Sequence, residues 1–481
     1  MPIVPLPPTL GALLLRAARL AGAEPALVGD FGSLSWADLA AQAQALARGL
    51  QTWAADDPRP QAVSLKPDRD ELIVLLAHAL AGIPLLPLHP ALPEADALRL
   101  AQTAGVRRVS LAQCLDLASA APGREARPAQ ADDDLFLVPT SGSSGLPKLA
   151  RLSHRAVLAA AASLTERLPF GPQDRWILTL PLSHVGGLSV VTRCVAAMRP
   201  IVLVPRFSED AVLQAIRRDQ GTRLSAVPAM AHRLLAADGA EVLRRLSLVM
   251  LGGQAAPLAL RRALVDAGVP AVASYGLTES CAAAACESPA DAGRLLPGCG
   301  TALPGMAIQI RAPDGMALSA GSAGSIHLRG PSLLAGYAGL TDLAAADAQG
   351  WLDTGDLGWL DEAGRLHVQG RRSEVIVTGG EKVVPGVVET ALREHPAVRD
   401  AVVFAQADER WGAIVCAAVE APEGLRQDAT LPALLATLLP PWARPRRLVC
   451  LPALPRLNTG KVDRRGTPAV AAAHLKDWPP R

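Results

Sequence analysis

Residues 140–148 read Thr-Ser-Gly-Ser-Ser-Gly-Leu-Pro-Lys. Hydroxyls at Thr140, Ser141, Ser143 and Ser144, glycines at Gly142 and Gly145 and the cation of Lys148 are parts from which a phosphate cradle is made. Glycine lets the backbone bend until successive N–H groups converge, and hydroxyls and a lysine add donors and charge. The GxxxxGK[ST] spacing of a Walker loop is absent, as is the GxSxG of a hydrolase elbow. By composition alone, an ordinary Ser/Gly turn is the plainer alternative.

Other clusters follow. YGLTES at 275–280 carries Tyr275, Thr278 and Glu279. A carboxylate there suits a hard cation that shares phosphate oxygens, while a capped helix start explains the same residues more simply. DTGD at 353–356 and GRR at 370–372 bring Asp356 and Arg371. An aspartic protease needs two such carboxylates sharing a proton, and no second DTG or DSG occurs. NTGK at 458–461 places Lys461 after a glycine turn, and TGG at 378–380 supplies Gly379 and Gly380. LPLSHVGGL at 180–188 contains His184, and LGGQAAP at 251–257 contains Gly253. Arg193 lies nine residues after His184 in an otherwise apolar run, LSVVTRCVAAM. Burying an arginine is costly unless an anion meets it; snorkelling to solvent or an internal acid partner is the alternative.

The elements that must position these groups read as α/β layers. Residues 1–130 alternate Ala/Leu-rich helical patterns with short apolar runs such as PLLPLHP. Ile73–Leu88 is too short and too broken by His78, Pro84 and Pro87 to span a bilayer; it reads as a helix leading into a buried strand. Pro122–Asp134 reads as a loop and Phe136–Pro139 as a short buried strand. Residues 150–300 continue as helices and short strands. Between about 300 and 370 the runs become Gly-punctuated, and DEAG joins two alternating runs as a hairpin. EVIVTGG then reads as a strand and Val387–Glu394 as an amphipathic helix. The charged GRRSE cluster sets a boundary near 370–374, giving a large domain over 1–370 and a small α+β domain over 371–481.

Composition excludes several classes. The chain has 481 residues, half of them hydrophobic and 19% charged, so it buries a large core and is not disordered. A formal net charge of +2 and 3% aromatics suit neither a nucleic-acid partner nor a membrane surface. The seven cysteines include no CxxC pair, which points away from disulfides and zinc and toward a reducing cytoplasm. The N-terminal run lacks a basic leader and carries Arg16 and Arg19, unlike a signal peptide.

TSGSSGLPK resembles the phosphate loop of the adenylate-forming superfamily, whose usual form is TSG[ST][ST]GxPK. YGLTES, DTGD with GRR, and NTGK follow in that superfamily's order, so the resemblance spans 140–461, and the first 130 residues are compatible with it. It implies a large N-terminal domain of layered α/β subdomains with a β-rich part, and a small mobile α+β C-terminal domain. It also implies a reaction of ATP, Mg2+, a small carboxylic acid and CoA. The acid attacks the α-phosphorus and releases pyrophosphate; a thiol then attacks the acyl-adenylate and releases AMP.

The resemblance assigns roles residue by residue. Residues 140–145 and Lys148 hold phosphates, and Tyr275 stacks on adenine. Thr278 meets the α-phosphate, and Glu279 holds the magnesium. Asp356 and Arg371 take the ribose, and Lys461 serves the first half-reaction. His184 and Gly253 border the acyl pocket, and Gly379 and Gly380 line the CoA path. The hinge position maps to Ser373, where relatives usually carry Asp or Lys; Lys382 stands where they often carry Asn. Both departures leave the rotation of the small domain less well marked. LPLSHVGGL, VPAMAHRLL and LGGQAAP most resemble the o-succinylbenzoate–CoA ligases of menaquinone biosynthesis, and Arg193 suits a dicarboxylate. Another acyl- or aryl-CoA synthetase, or an enzyme loading a carrier protein, is the alternative.

Overall fold

The computed structural model describes residues 7–55, 57–117, 128–140, 148–237, 240–340, 345–457 and 461–479. Strands Trp176–Leu178, Ile201–Leu203, Arg223–Ala226 and Leu248–Leu251 are buried along their whole length. Together with Ala271–Tyr275 they pair in parallel. Parallel strands are covered on both faces, so runs such as WIL, IVL and LVML need no polar alternation. They form the middle of a nine-stranded sheet. The hairpin Pro25–Gly29/Gly32–Ser35 closes one edge, and the short strands Ala285–Cys286 and Thr301–Ala302 close the other.

A second sheet of six strands runs Gly336–Tyr337, Lys148–Ser153, Asp134–Thr140, Leu85–Leu88, Gln61–Ser64, Arg107–Arg108. The expected FLVP strand lies inside Asp134–Thr140. The apolar stretch Ile73–Leu88 resolves into the end of helix Arg69–Ala81 followed by strand Leu85–Leu88. The helix starts on Asp68, whose carboxylate accepts the Arg69 N–H, and stops at Gly82 in the left-handed region at φ 70°. Its residues 71–79 are buried without regard to helical face, so it is packed all round rather than amphipathic. Of the expected loop Pro122–Asp134, residues 122–127 lie outside the described residues; 128–133 form neither helix nor strand, and Asp134 opens a strand.

The Gly-punctuated region is an antiparallel sheet of Ala307–Arg311, Gly324–Arg329, Leu352–Leu360 and Leu366–Arg371. DEAG is its hairpin turn, fixed by Asp361 Oδ1, which accepts the backbone N–H of both Ala363 and Arg365. After a single 3-10 turn, Arg372–Glu374, come the ribbon Ile376–Thr378/Glu381–Val383 and helix Pro385–Arg393. A four-stranded sheet of Asp400–Asp408, Gly412–Glu420, Arg447–Leu451 and Lys476–Asp477 completes this part. The buried apolar clusters of residues 376–478 contain nothing from residues 1–366, and the reverse holds too. The fold is thus mixed α/β, with a large N-terminal domain and a small C-terminal one. Among the described residues, no helix is long and apolar enough to cross a membrane.

Candidate active site

A cleft of about 1340 Å³ is walled by both domains. Gly253, Asp356, Arg371 and Lys461 all line it, although they stand up to 208 positions apart in the chain (253 to 461).

The ribose candidates are set by strand register. Asp356 and Arg371 are direct partners across the antiparallel pair, and Arg371 Nε donates to Asp356 Oδ1 at 2.9 Å. The DTGD turn holds this geometry: buried Thr354 donates to the Ile326 carbonyl and accepts the Asp356 N–H. The Tyr275 hydroxyl, from the last residue of its strand, donates to Asp356 Oδ2 at 2.7 Å. Burial pushes the Asp356 carboxyl up, and the Arg371 charge and Tyr275 hydroxyl oppose that push. Burial, then the Asp356 charge, drives the Tyr275 phenol well above its ordinary range, so it stays a neutral donor.

Gly276 follows. A Cβ there would collide with the Ala282 backbone, so the chain from Tyr275 into the 3-10 turn Thr278–Ser280 passes where only glycine fits. Glu279, in that turn, accepts the Tyr337 hydroxyl at 3.2 Å, and the Lys148 ammonium lies 5.3 Å from the Tyr337 ring centroid. Tyr337 therefore links two residues that the motifs name separately. Thr140 and Lys148 are register partners at the two ends of the Gly/Ser segment. Ser141, Gly142, Ser143, Ser144 and Gly145 lie outside the described residues. Glu279 is the carboxylate that the sequence leads one to expect at a magnesium ion. A lone carboxylate beside a phosphate site fits that ion, which keeps water and phosphate oxygens as its other ligands. Among the described residues, no group of three or more His, Cys, Asp or Glu forms a self-sufficient metal cage.

Lys461 reaches from the C-terminal domain to Gly253, which sits at φ +77°. A Cβ on Gly253 would fall 2.9 Å from Lys461 Cε and 3.3 Å from Nζ. Burial, then the nearby Arg371 charge, lowers the lysine pKa. His184 caps helix Val185–Ala197 without a side-chain cap bond. Its pKa falls to about 4, through burial first and then the charge of Lys461. The residue stays partly open to solvent, and the lysine charge also favours the neutral imidazole.

Arg193 is not in the cleft lining. It is 1% exposed and stacks 3.6 Å from the Trp176 ring centroid. Its terminal nitrogens donate to Ser189 Oγ at 3.2 Å and Ser225 Oγ at 2.9 Å, and Nε has no partner. Neither expected alternative is seen: it does not snorkel, and no described carboxylate pairs with it. Burial lowers its pKa to about 9. Gly379 and Gly380 also stay out of the lining: they turn the small ribbon, and a Cβ on Gly379 would press on Trp411. Ser373 is exposed in the 3-10 turn after Arg371.

Tyr337, His89 and Ser225 were not among the sequence candidates. Tyr337 had one available signal: the chain holds only two tyrosines, and both stand here.

Two family models match the chain: "AMP-binding enzyme" over residues 107–338 and "AMP-binding enzyme C-terminal domain" over 387–461. Indoleacetate–CoA ligase of Aromatoleum aromaticum is 37% identical over 335 residues, 68% of this chain and 65% of that protein. A 2-succinylbenzoate–CoA ligase of Bacillus velezensis is 38% identical over 284 residues, 59% of this chain and 58% of that protein. The matches thus span less than two thirds of either relative's length. The structure of o-succinylbenzoate CoA synthetase from Bacillus subtilis, in complex with its acyl-adenylate intermediate, superposes with a TM-score of 0.82 at 30% identity. It covers 94% of this chain and 96% of that one. With both family models matched in order, and a cleft that gathers Asp356, Arg371 and Lys461, the chain belongs to the AMP-binding enzyme family.

Proposed function

We propose that this protein is an ATP-dependent acid–CoA ligase that forms AMP, with 2-succinylbenzoate as its acid and menaquinone biosynthesis as its pathway. The observation that carries the ligase reading is Lys461 held against Gly253 in the cleft that also contains Asp356 and Arg371. In the first step an acid oxygen bonds to the α-phosphorus, and the bond to pyrophosphate breaks. Lys461 meets the acid and phosphate oxygens as charge gathers, in a site with little water to screen it. Thr278 and Lys148 serve the phosphates, together with residues 140–145. Tyr275 faces the adenine, and Asp356 with Arg371 takes the ribose hydroxyls. Magnesium, bound through Glu279, supplies neutralisation of phosphate charge. In the second step the thiol sulfur bonds to the acyl carbon, the bond to AMP breaks, and the thiol proton goes to solvent. The protein offers no covalent nucleophile; it positions reactants and balances charge.

Lys461 occupies space that the thiol needs, so the domain from residue 371 onward turns about Ser373 between steps, bringing Gly379 and Gly380 to the CoA path. ATP and CoA as substrates suit a cytoplasmic enzyme.

The choice of acid is supported by the similarity to 2-succinylbenzoate–CoA ligases and to the o-succinylbenzoate CoA synthetase structure, and secondly by the charge of Arg193. A buried cation whose partners are two serines and a tryptophan face lacks a counter-charge, which costs several kcal/mol in a dry interior. A dicarboxylate carries a second, unactivated carboxylate, on which Arg193, buried outside the cleft lining, acts through the field of its charge rather than by contact. The indoleacetate–CoA ligase similarity favours a second reading, an aryl monocarboxylate, which leaves Arg193 unmatched. ATP–pyrophosphate exchange with 2-succinylbenzoate, indoleacetate and benzoate decides between them, and adding CoA or a carrier protein then identifies the acceptor. Exchange with none of these acids would overturn the assignment.

A further inference from the structure

His89 follows strand Leu85–Leu88 and lines the same cleft wall as Lys66 and Ala91. Its Nδ1 accepts the backbone N–H of Ala91 at 3.1 Å. A ring nitrogen that accepts carries no proton, so the neutral imidazole keeps its proton on Nε2. Burial lowers its pKa, which favours that neutral form. His89 therefore presents an uncharged N–H donor, and it cannot take up a proton at Nδ1 without giving up Ala91.

Its surroundings narrow what the donor meets. The nucleotide candidates Tyr275, Asp356 and Arg371 come from other sheets, and Lys461 already serves the acid. A phosphate or carboxylate is best met by a cation. The wall's cation, Lys66, is paired with Asp68 at 2.9 Å, so an uncharged N–H beside Leu65, Pro67, Pro181 and Pro205 suits a neutral carbonyl on a chain that alternates methylenes with amides. His89 shares the lining of one cleft with Gly253 and Lys461, so this wall belongs to the space in which the lysine sits.

We infer that His89 is a positioning residue whose Nε2–H donates to an amide carbonyl on the pantetheine arm of the thiol acceptor. This rests on the ligase reading above. The test is His89→Asn, because the asparagine Oδ1 can still accept the Ala91 N–H in an Asx-type turn while the Nε2 donor is lost. In the second half-reaction, with 2-succinylbenzoate as the acid, the KM for CoA rises about tenfold and kcat at saturating CoA stays within about twofold. With 2-mercaptoethanol, which has no amide, variant and wild type react alike. An unchanged KM for CoA, or an equal loss with both thiols, overturns the inference while pyrophosphate exchange leaves the ligase reading standing. A wild-type protein that exchanges pyrophosphate with no acid overturns both.

Discussion

Lys461 and Gly253 meet across the interface between the two domains: a side chain beginning at 253 would fall 2.9 Å from the lysine Cε. A backbone at φ +77° with no Cβ is thus part of the lysine's seat. Gly253→Ala is expected to lower the rate of ATP–pyrophosphate exchange by about tenfold or more, since a misplacement of about 1 Å costs that much or more. Thermal unfolding should fall only slightly. Wild-type exchange in the alanine variant would show that the contact is incidental.

Lys461→Ala should separate the half-reactions. Loss of one electrostatic donor in a desolvated site costs about 10²–10³ in rate, so pyrophosphate exchange should nearly vanish. Conversion of chemically prepared acyl-adenylate to the thioester should stay within about threefold of wild type. Equal losses in both assays would assign the lysine to the fold rather than to the first step.

Tyr275→Phe removes a hydroxyl that donates to a carboxylate at 2.7 Å. Hydrogen bonds to charged groups are worth about 1.5–3 kcal/mol, so the KM for ATP should rise by about tenfold. The rise should be much smaller for Tyr337→Phe, whose bond to Glu279 is longer at 3.2 Å. Titration of ATP in the exchange assay measures both.

Arg193→Met keeps volume and removes an unmatched buried cation. Apo stability is expected to be unchanged or higher by about 1–3 kcal/mol in urea, because replacing buried charge with apolar volume is often neutral or favourable. Use of 2-succinylbenzoate should drop far more than use of benzoate, and Arg193→Ala should show the same preference. Equal losses for both acids would sever Arg193 from the substrate.

His78 and His154 are almost fully buried, and burial holds each near a pKa of about 4 against an ordinary 6.5. Both states are neutral above that ordinary value, so stability is level there. As pH falls from 6.5 toward 4 the unfolded chain takes up protons first, and stability declines. Each histidine costs up to about 3 kcal/mol over that window. Urea unfolding at about pH 7.5 and about pH 5 should show the loss, which His154→Gln should reduce.

Local chemistry explains what could be read in advance. Asp361 and Gly364 make DEAG a turn, and a one-residue bulge beyond it, between Gly358 and Leu357, shifts the register so that Asp356 stands opposite Arg371. The first helix of the small domain begins at Pro385, two residues before the expected Val387, because proline is favoured in a first helical turn. Other features depend on distant partners. Nothing near Glu279 in sequence announces Tyr337, which arrives on the edge strand Gly336–Tyr337. Arg193 stood out as an arginine in an apolar helix, but its stack on Trp176 and its bond to Ser225 require strands that are neighbours only after folding. The meeting of Pro25–Gly29 with Ile201–Leu203 is equally silent in the sequence.

The chain's two tyrosines each donate to a candidate carboxylate, Tyr275 to Asp356 and Tyr337 to Glu279, and this has a practical outcome. Protein grown on 3-fluorotyrosine would give a fluorine NMR spectrum of two resonances, one beside Asp356 and one beside Glu279. Substituting either phenylalanine variant would assign both lines at once. Every ligand added could then be followed beside Asp356 and beside Glu279 without a background signal from elsewhere in the chain.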